Sequence, residues 1–149
     1  MKRLAVICAF IAIALCANAM SLMDKERVIR FEELPVGAQK MIKTHFPQMK
    51  IALITEESDF LEKSFTVMAA EGIKVEFNKK GEWKEIECPN SEVPTGIIPQ
   101  KISAFVKENF PGAKILSIEI DDSGEYDVKL NNRVSVEFNK RLEPVEIDI

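Results

Sequence analysis

The sequence is poor in the residues from which catalytic and metal sites are usually built. It contains one histidine, one tryptophan, one tyrosine and three cysteines in 149 residues. His45 stands at a predicted helix end without a cysteine or serine motif nearby, so it would lack the partners that a general base needs. A single histidine and one cysteine outside the N-terminal segment do not make the usual structural zinc site. No phosphate-binding loop motif is present either, so we expect no enzymatic activity and no catalytic residues.

Long apolar runs are also scarce, and the one that occurs lies at the N-terminus. Met1-Lys2-Arg3 precedes an apolar stretch from Leu4 to Leu15, and Ala17-Asn18-Ala19 follows as a small-x-small cleavage pattern. This layout predicts a secretory signal peptide. The run is shorter than the about 20 residues of a membrane span, so none is expected after signal removal. Lipidation of Cys16 is disfavoured because the bulky Leu15 precedes it.

Removal of the signal leaves 130 residues with few positive charges. They include 18 basic and 24 acidic residues, a net charge of −6. Nucleic acid is therefore not an expected partner, because phosphate binding needs a net basic surface. Cys88 is the one cysteine left, which excludes an intramolecular disulfide. It lies on the apolar alternation of a predicted strand, and we expect a small buried hydrophobe.

What the sequence does contain is an internal repeat. Leu34-Pro35 and Phe46-Pro47 recur 64 residues later as Ile98-Pro99 and Phe110-Pro111, and the run Val75 to Lys79 recurs 61 residues later from Val136. The repeat divides the chain into a signal peptide (1–19), an N-terminal lead segment (20–30), a first repeat (31–88), a linker (89–97) and a second repeat (98–149).

Each repeat is predicted to begin with a short amphipathic helix. Ile102, Phe105, Val106 and Phe110 share one helical face in the second copy, and Ala38, Met41, Ile42 and Phe46 do so in the first. Each helix should end before its Phe-Pro step, since the residue preceding a proline is pushed out of the helical region.

Period-two alternation of apolar and polar residues follows each helix and indicates strands with one buried face. In the second copy the strands are expected around Leu116–Ile120, Glu125–Leu130, Arg133–Phe138 and Val145–Ile149. We therefore predict an α+β fold, a tandem repeat of a helix plus a four-stranded antiparallel meander. The two units would form one extended curved sheet with helices on one face. The polar sheet face would be left to water or to a partner.

The lone tryptophan is the first candidate for that partner. Alternation places Trp83 on the polar side with Glu85 and Glu87, and interfaces are enriched in tryptophan. Covering a strand edge or the junction between the repeats is an equally acceptable role. Together with two residues of the preceding strand, the candidates for protein binding are Trp83, Glu85, Glu87, Lys74 and Glu76.

Acidic residues cluster in two corresponding hairpin turns. Carboxylates on a turn can hold calcium through oxygen ligands, although the twelve-residue EF-hand pattern is absent. Asp121, Asp122 and Glu125 are the candidate calcium ligands in the second turn, and Glu56 to Asp59 form the first cluster. The alternative is a solvated acidic turn in which Gly124 provides the bend. No other cofactor is expected.

The proline-started helices, the Phe-Pro steps and the Val-Glu-Phe-Asn strands resemble the PepSY-like family of exported bacterial proteins. The matching stretches are 34–47 with 73–78, and 98–111 with 134–139. The resemblance implies a fold similar to β-lactamase-inhibitor proteins, with a sheet face presented to a protein partner. It also implies the periplasm as the location. Related PepSY domains restrain peptidases, and some relatives are called calcium-regulated. The expected function is a periplasmic protein-binding module, peptidase-inhibitory or regulatory, with calcium binding as the alternative.

Overall fold

The structure is a computed structural model that describes residues 25–149. The predicted signal peptide at residues 1–19 and Cys16 lie outside the described residues. Within residues 25–149, no helix combines the length and the apolar character that a membrane crossing requires.

In the part of the chain that the structure describes, two helices of equal length pack against the sheet. Helix α1 spans Val36–His45 and helix α2 spans Gln100–Asn109, and Pro35 and Pro99 occupy the position before each. Both helices end before the Phe-Pro step, which confirms the prediction. The amide of Phe46 still donates to the carbonyl of Ile42 at 2.8 Å, but the Phe46 backbone has left the helical conformation.

Within residues 25–149, nine strands form one antiparallel sheet in which every strand pairs with its neighbours in sequence. A short 3-10 helix at Phe31–Glu33 separates the first strand from α1. The strands are β1 Lys25–Val28, β2 Ile51–Ser58, β3 Lys63–Ala69, β4 Lys74–Asn78, β5 Trp83–Glu87, β6 Ile115–Ile120, β7 Tyr126–Leu130, β8 Ser135–Phe138 and β9 Pro144–Asp148.

This architecture corrects the predicted tandem of two units, each a helix plus a four-stranded meander. The sheet is a single nine-stranded one, and β1, inside the predicted lead segment, pairs with β2. The pairing of β5 with β6 is antiparallel like all the others, with Ile86 opposite Ile118. The prediction is wrong because repeated sequence motifs specify local elements, whereas hydrogen bonding across β5 and β6 leaves no boundary in the sheet.

The core lies between one face of this sheet and the two helices. A row of residues directly opposite one another runs across five strands, and each of its members has no exposed surface: Val75, Ile86, Ile118, Val128 and Val136. Ala38 and Ile42 of α1 and Ile102 and Val106 of α2 belong to the same buried cluster. Because side chains alternate along a strand, the next residue of each strand points to the face without helices.

Register irregularities shift this alternation locally. In β6 the pairing with β7 shifts between Ile115 and Ser117, so the buried apolar residues are Ile115 and Ile118, while Leu116 is half-buried. The strand itself was predicted with Leu116, Ile118 and Ile120 facing inward; Ile118 and Ile120 keep that side, and only Leu116 is displaced by the shift. A β-bulge of this kind adds one residue to a strand and cannot be read from a period-two pattern.

Candidate protein-binding face

The face of the sheet without helices, hereafter the open face, carries a continuous row of carboxylates. Each of six consecutive strands contributes one, and each carboxylate residue lies directly opposite the next. Residues at such positions have their Cβ atoms about 5 Å apart, and like charges there repel. The carboxylate row consists of Glu76 (β4), Glu85 (β5), Glu119 (β6), Asp127 (β7), Glu137 (β8) and Glu146 (β9).

A lysine partly neutralises one end of the carboxylate row. The Lys74 ammonium contacts Glu76 Oε1 at 2.7 Å and Glu85 Oε2 at 3.0 Å. Burial opposes the charge on Lys74, but the hydrogen bonds to Glu76 and Glu85 outweigh burial and raise the pKa of Lys74. Glu87 lies opposite Lys74, and its pKa is raised by burial and by the neighbouring carboxyl of Glu85. Four of the five predicted binding residues therefore form one charged cluster on the open face.

At the other end of the row Lys129 lies on the same face, two residues from Asp127, but within residues 25–149 it forms no ion pair with the carboxylates of the row. Glu137 lies between Asp127 and Glu146, and repulsion from Glu146, followed by partial desolvation and repulsion from Asp127, raises the pKa of Glu137. Asp127 Oδ1 is buried and accepts no hydrogen bond from the described protein atoms. A groove of about 240 Å³ at this end is lined by Glu119, Asp121, Glu125, Tyr126, Asp127, Glu137, Phe138 and Val145. Negative charge is thus concentrated where the sheet is left uncovered.

Trp83 does not share the open face with Glu85 and Glu87. A bulge in the pairing of β4 with β5 leaves Glu76 opposite Glu85 but brings Phe77 opposite Trp83. Because Phe77 is buried in the core, the bulge turns the half-buried Trp83 toward the helix-covered side. The Trp83 ring lies 6.4 Å from that of Tyr126. The predicted placement is corrected, while a role for Trp83 in binding stays a prediction.

The three predicted calcium ligands have different contacts in the structure. The hydroxyl of Ser123 donates to Asp121 Oδ1 at 2.7 Å and the amide of Glu125 at 2.9 Å, which lowers the pKa of Asp121. Asp122 accepts a hydrogen bond from Lys84 at 2.9 Å. Glu125 lines the acidic groove. Between residues 25 and 149, no three His, Cys, Asp or Glu side chains are close enough to hold a metal ion as they stand. Calcium binding at this turn stays a prediction.

His45 and Cys88, the two remaining candidates for a reactive side chain, lie in surroundings that suit structural roles. His45 is half-buried at the end of α1, and a Cβ added to Gly96 would lie 3.2 Å from its Cε1 atom. Cys88 has no exposed surface, and burial raises the pKa of its thiol. A thiol held in its neutral form is a poor nucleophile.

Sequence reasoning missed four members of the carboxylate row: Glu119, Asp127, Glu137 and Glu146. Glu137 repeats the Val-Glu-Phe-Asn motif of Glu76, and Glu146 repeats the Glu-Ile step of Glu85. Those motifs could have suggested two further carboxylates on the polar face. Glu119 and Asp127 belong to the carboxylate row because of the strand register, which depends on residues far apart in sequence.

The fold class is α+β, with an antiparallel sheet that has helices on one side and a charged open face on the other. The chain belongs to the PepSY-like family, since the family described as "Putative beta-lactamase-inhibitor-like, PepSY-like" matches residues 63–143. The family resemblance seen in the sequence is thereby confirmed. No curated protein matches the chain.

Solved structures share the fold, and three of them resemble this chain as follows. A "putative periplasmic protein" of the DUF2874 family from Bacteroides vulgatus ATCC 8482 is 40% identical, with a TM-score of 0.81, over 84% of this chain and 98% of that chain. A "putative calcium-regulated periplasmic protein" from Bacteroides thetaiotaomicron is 44% identical, with a TM-score of 0.80, over 83% and 97%. A "putative periplasmic protein of unknown function" from Bacteroides vulgatus ATCC 8482 is 39% identical, with a TM-score of 0.77, over 84% and 100%.

Proposed function

We propose that this protein is an exported periplasmic module that binds a basic segment of a protein partner on its open face. The observation that carries the proposal is the carboxylate row, in which six like charges stand opposite one another across β4 to β9. Like charges that lie opposite one another across strands destabilise the sheet, whereas charges of alternating sign would stabilise it. A partner rich in lysine and arginine relieves the repulsion and gains complementary contacts.

The expected partner surface follows from the geometry of the row. Six strands with a spacing of about 4.8 Å give a row about 24 Å long, which suits a segment of a protein rather than a small ligand. At the β4–β5 end of the carboxylate row, the ion pairs of Lys74 with Glu76 and Glu85 neutralise part of the negative charge. The strongest attraction for a cation is therefore expected from Glu119 to Glu146. A partner held in this way would be positioned by charge, and a peptidase restrained by the module is one such partner.

Neutralising the centre of the row is expected to abolish capture of the partner. The test variant combines Glu85→Gln, Glu119→Gln and Asp127→Asn, and it is compared with the unmodified protein as bait in native periplasmic extract. The control variant combines Glu32→Gln, Glu62→Gln and Glu108→Gln, three exposed residues outside the row. Both variants lose three negative charges, so an effect of net charge alone would be the same for both.

The captured partner should carry a basic segment and be released by salt, because exposed charges are screened over about 8 Å at physiological ionic strength. Capture should also weaken as pH falls, starting above the range of an ordinary carboxyl, since the pKa values of Glu87 and Glu137 are raised. Equal recovery with the unmodified bait and the test variant would refute the proposed face.

Calcium regulation is the second candidate function. It is favoured by the calcium-regulated name of the Bacteroides thetaiotaomicron relative and by the unpaired Asp127 Oδ1 in the acidic groove. A ligand that binds only the native state raises the melting temperature as its concentration rises. Melts in calcium and in chelator should then differ, and Asp127→Asn should remove the difference if the groove binds the ion. Loss of the difference in Asp122→Asn would place the ion at the turn, and superimposed melts would exclude this function.

A further inference from the structure

We propose that the free edge of β9 accepts an extended strand of the partner in which basic and apolar residues alternate. This inference rests on the proposed function and adds how the partner is held, by main-chain hydrogen bonds as an additional strand of the sheet. Sheet edges offer unpaired amide and carbonyl groups to such a strand.

The apolar side chains of β9 are exposed where those of the matching strand β5 are buried. Ile86 and Cys88 of the β5 segment have no exposed surface, and β6 pairs alongside them. Ile147 and Ile149 stand at the matching positions of the β9 segment, and they are 44% and 100% exposed. Val145 is 61% exposed as well. The edge of β9 therefore presents apolar surface that a neighbouring strand would cover.

The opposite edge of the sheet is more heavily charged than β9. Strand β1 has four residues, three of them charged, whereas β9 has five residues, two of them charged. Arg27 of β1 is engaged by Glu56 at 3.1 Å and by Glu33 at 3.2 Å. Short, charged strands are a common means of preventing unwanted pairing at a sheet edge. Of the two edges, β9 is the one suited to receive a strand.

The backbone of β9 is oriented for pairing. Ile147 lies opposite Val136 as Ile86 lies opposite Val75. In the β5 segment the amide of Cys88, two residues beyond Ile86, donates to the carbonyl of Leu116 at 2.7 Å. Because residues two apart in a strand direct their amides to the same side, the amides of Ile86 and Cys88 both point toward β6, and the matching amides of Ile147 and Ile149 point to the free edge.

The side chains of β9 specify what the added strand must carry. Glu146 and Asp148 extend toward the open face, in line with Glu137 and Ser135, and Ile147 lies on the helix-covered side. A lysine or arginine opposite Glu146 would oppose unlike charges, and an apolar residue opposite Ile147 would complete the buried row. A second copy of β9 would oppose acidic residues to acidic ones, which disfavours self-pairing.

The probe is a labelled synthetic peptide of alternating lysine and valine, titrated by fluorescence anisotropy. Its control is a peptide of equal charge with each valine replaced by proline, which has no amide hydrogen to donate. We expect the lysine-valine peptide to bind at least about tenfold more tightly than the control and to slow amide exchange at Ile147 and Ile149. Equal affinity of the two peptides would overturn the inference, because charge alone would then explain binding.

Two variants test the edge against the open face. Ile147→Lys places a charge at an exposed edge position and should weaken binding of the lysine-valine peptide about tenfold or more. Glu146→Lys should transfer the preference to a glutamate-valine peptide, and this gain of binding requires a folded protein. If the triple neutralisation of Glu85, Glu119 and Asp127 abolishes binding while Ile147→Lys has no effect, the face binds and the edge inference is wrong. Edge-dependent dimers in sedimentation would overturn it in favour of a second copy.

Discussion

A chain ending at Cys88 is expected to show no cooperative unfolding transition. The cut removes β6, which pairs with β5 through Glu119, Ile118 and Ser117. It also removes the Leu116 carbonyl, which accepts a hydrogen bond from the amide of Cys88. Ile86 and Cys88, both without exposed surface in the full chain, would face water. A piece of about 60 residues buries too little surface to compensate for these losses.

Circular dichroism melts and amide spectra check this result. The control is a chain ending at Leu142, which loses Glu143, Ile149 and β9, an edge strand whose residues are all exposed. That chain should retain a cooperative melt at a lower temperature. A sharp melt of the Cys88 truncation at the stability of the full protein, with dispersed amide signals, would show that the sheet folds in independent parts. A binding face continuous from β4 to β9 would then lose its structural basis.

Phe77→Ala should lower the free energy of unfolding by about 3–5 kcal/mol. Phe77 has no exposed surface and lies opposite Phe65 on one side and Trp83 on the other. Truncation removes apolar contacts and leaves a cavity that neighbouring strands cannot close without breaking register. The measurement is urea unfolding of the purified variant at neutral pH.

Phe60→Ala is the matched control for this substitution. The Phe60 side chain is 86% exposed between β2 and β3, and the same atoms are deleted. Its effect on unfolding should stay within about 0.5 kcal/mol. Similar losses for both variants would contradict the position of Phe77 in the core. A normal unfolding curve for Phe60→Ala with reduced partner capture would instead point to an additional contact outside the open face.

The local elements of this fold could be predicted because their signals lie within short stretches of sequence. The Phe-Pro steps fixed the ends of both helices, and alternation located the strands after α2. Strand β1 was missed because Lys25 to Val28 has neither alternation nor an apolar majority. It pairs with β2 along its whole length, and Arg27 adds ion pairs with the nearly buried Glu56 and with Glu33, which are separated from Arg27 by up to 29 residues.

The polar character of the open face could be predicted from the sequence, but the full set of its residues could not. Glu85, Glu87, Lys74 and Glu76 were identified as polar-face residues from alternation alone, and the structure brings them together. Trp83 was misplaced because one bulge reverses the side to which a residue points. The carboxylate row depends on which residues of separate strands come to lie opposite each other. That register is set by packing across the whole sheet rather than by any one segment.

The sequential strand order also determines how the protein can be tethered. Because each strand pairs only with its neighbours in sequence, β1 and β9 lie at opposite ends of the sheet. Eight strand spacings of about 4.8 Å separate them by about 38 Å along the sheet. An attachment made through residues ahead of Lys25 therefore holds the molecule by the edge of β1 and directs β9 away from the support. An attachment at Ile149 brings the support against the edge that is proposed to receive the partner.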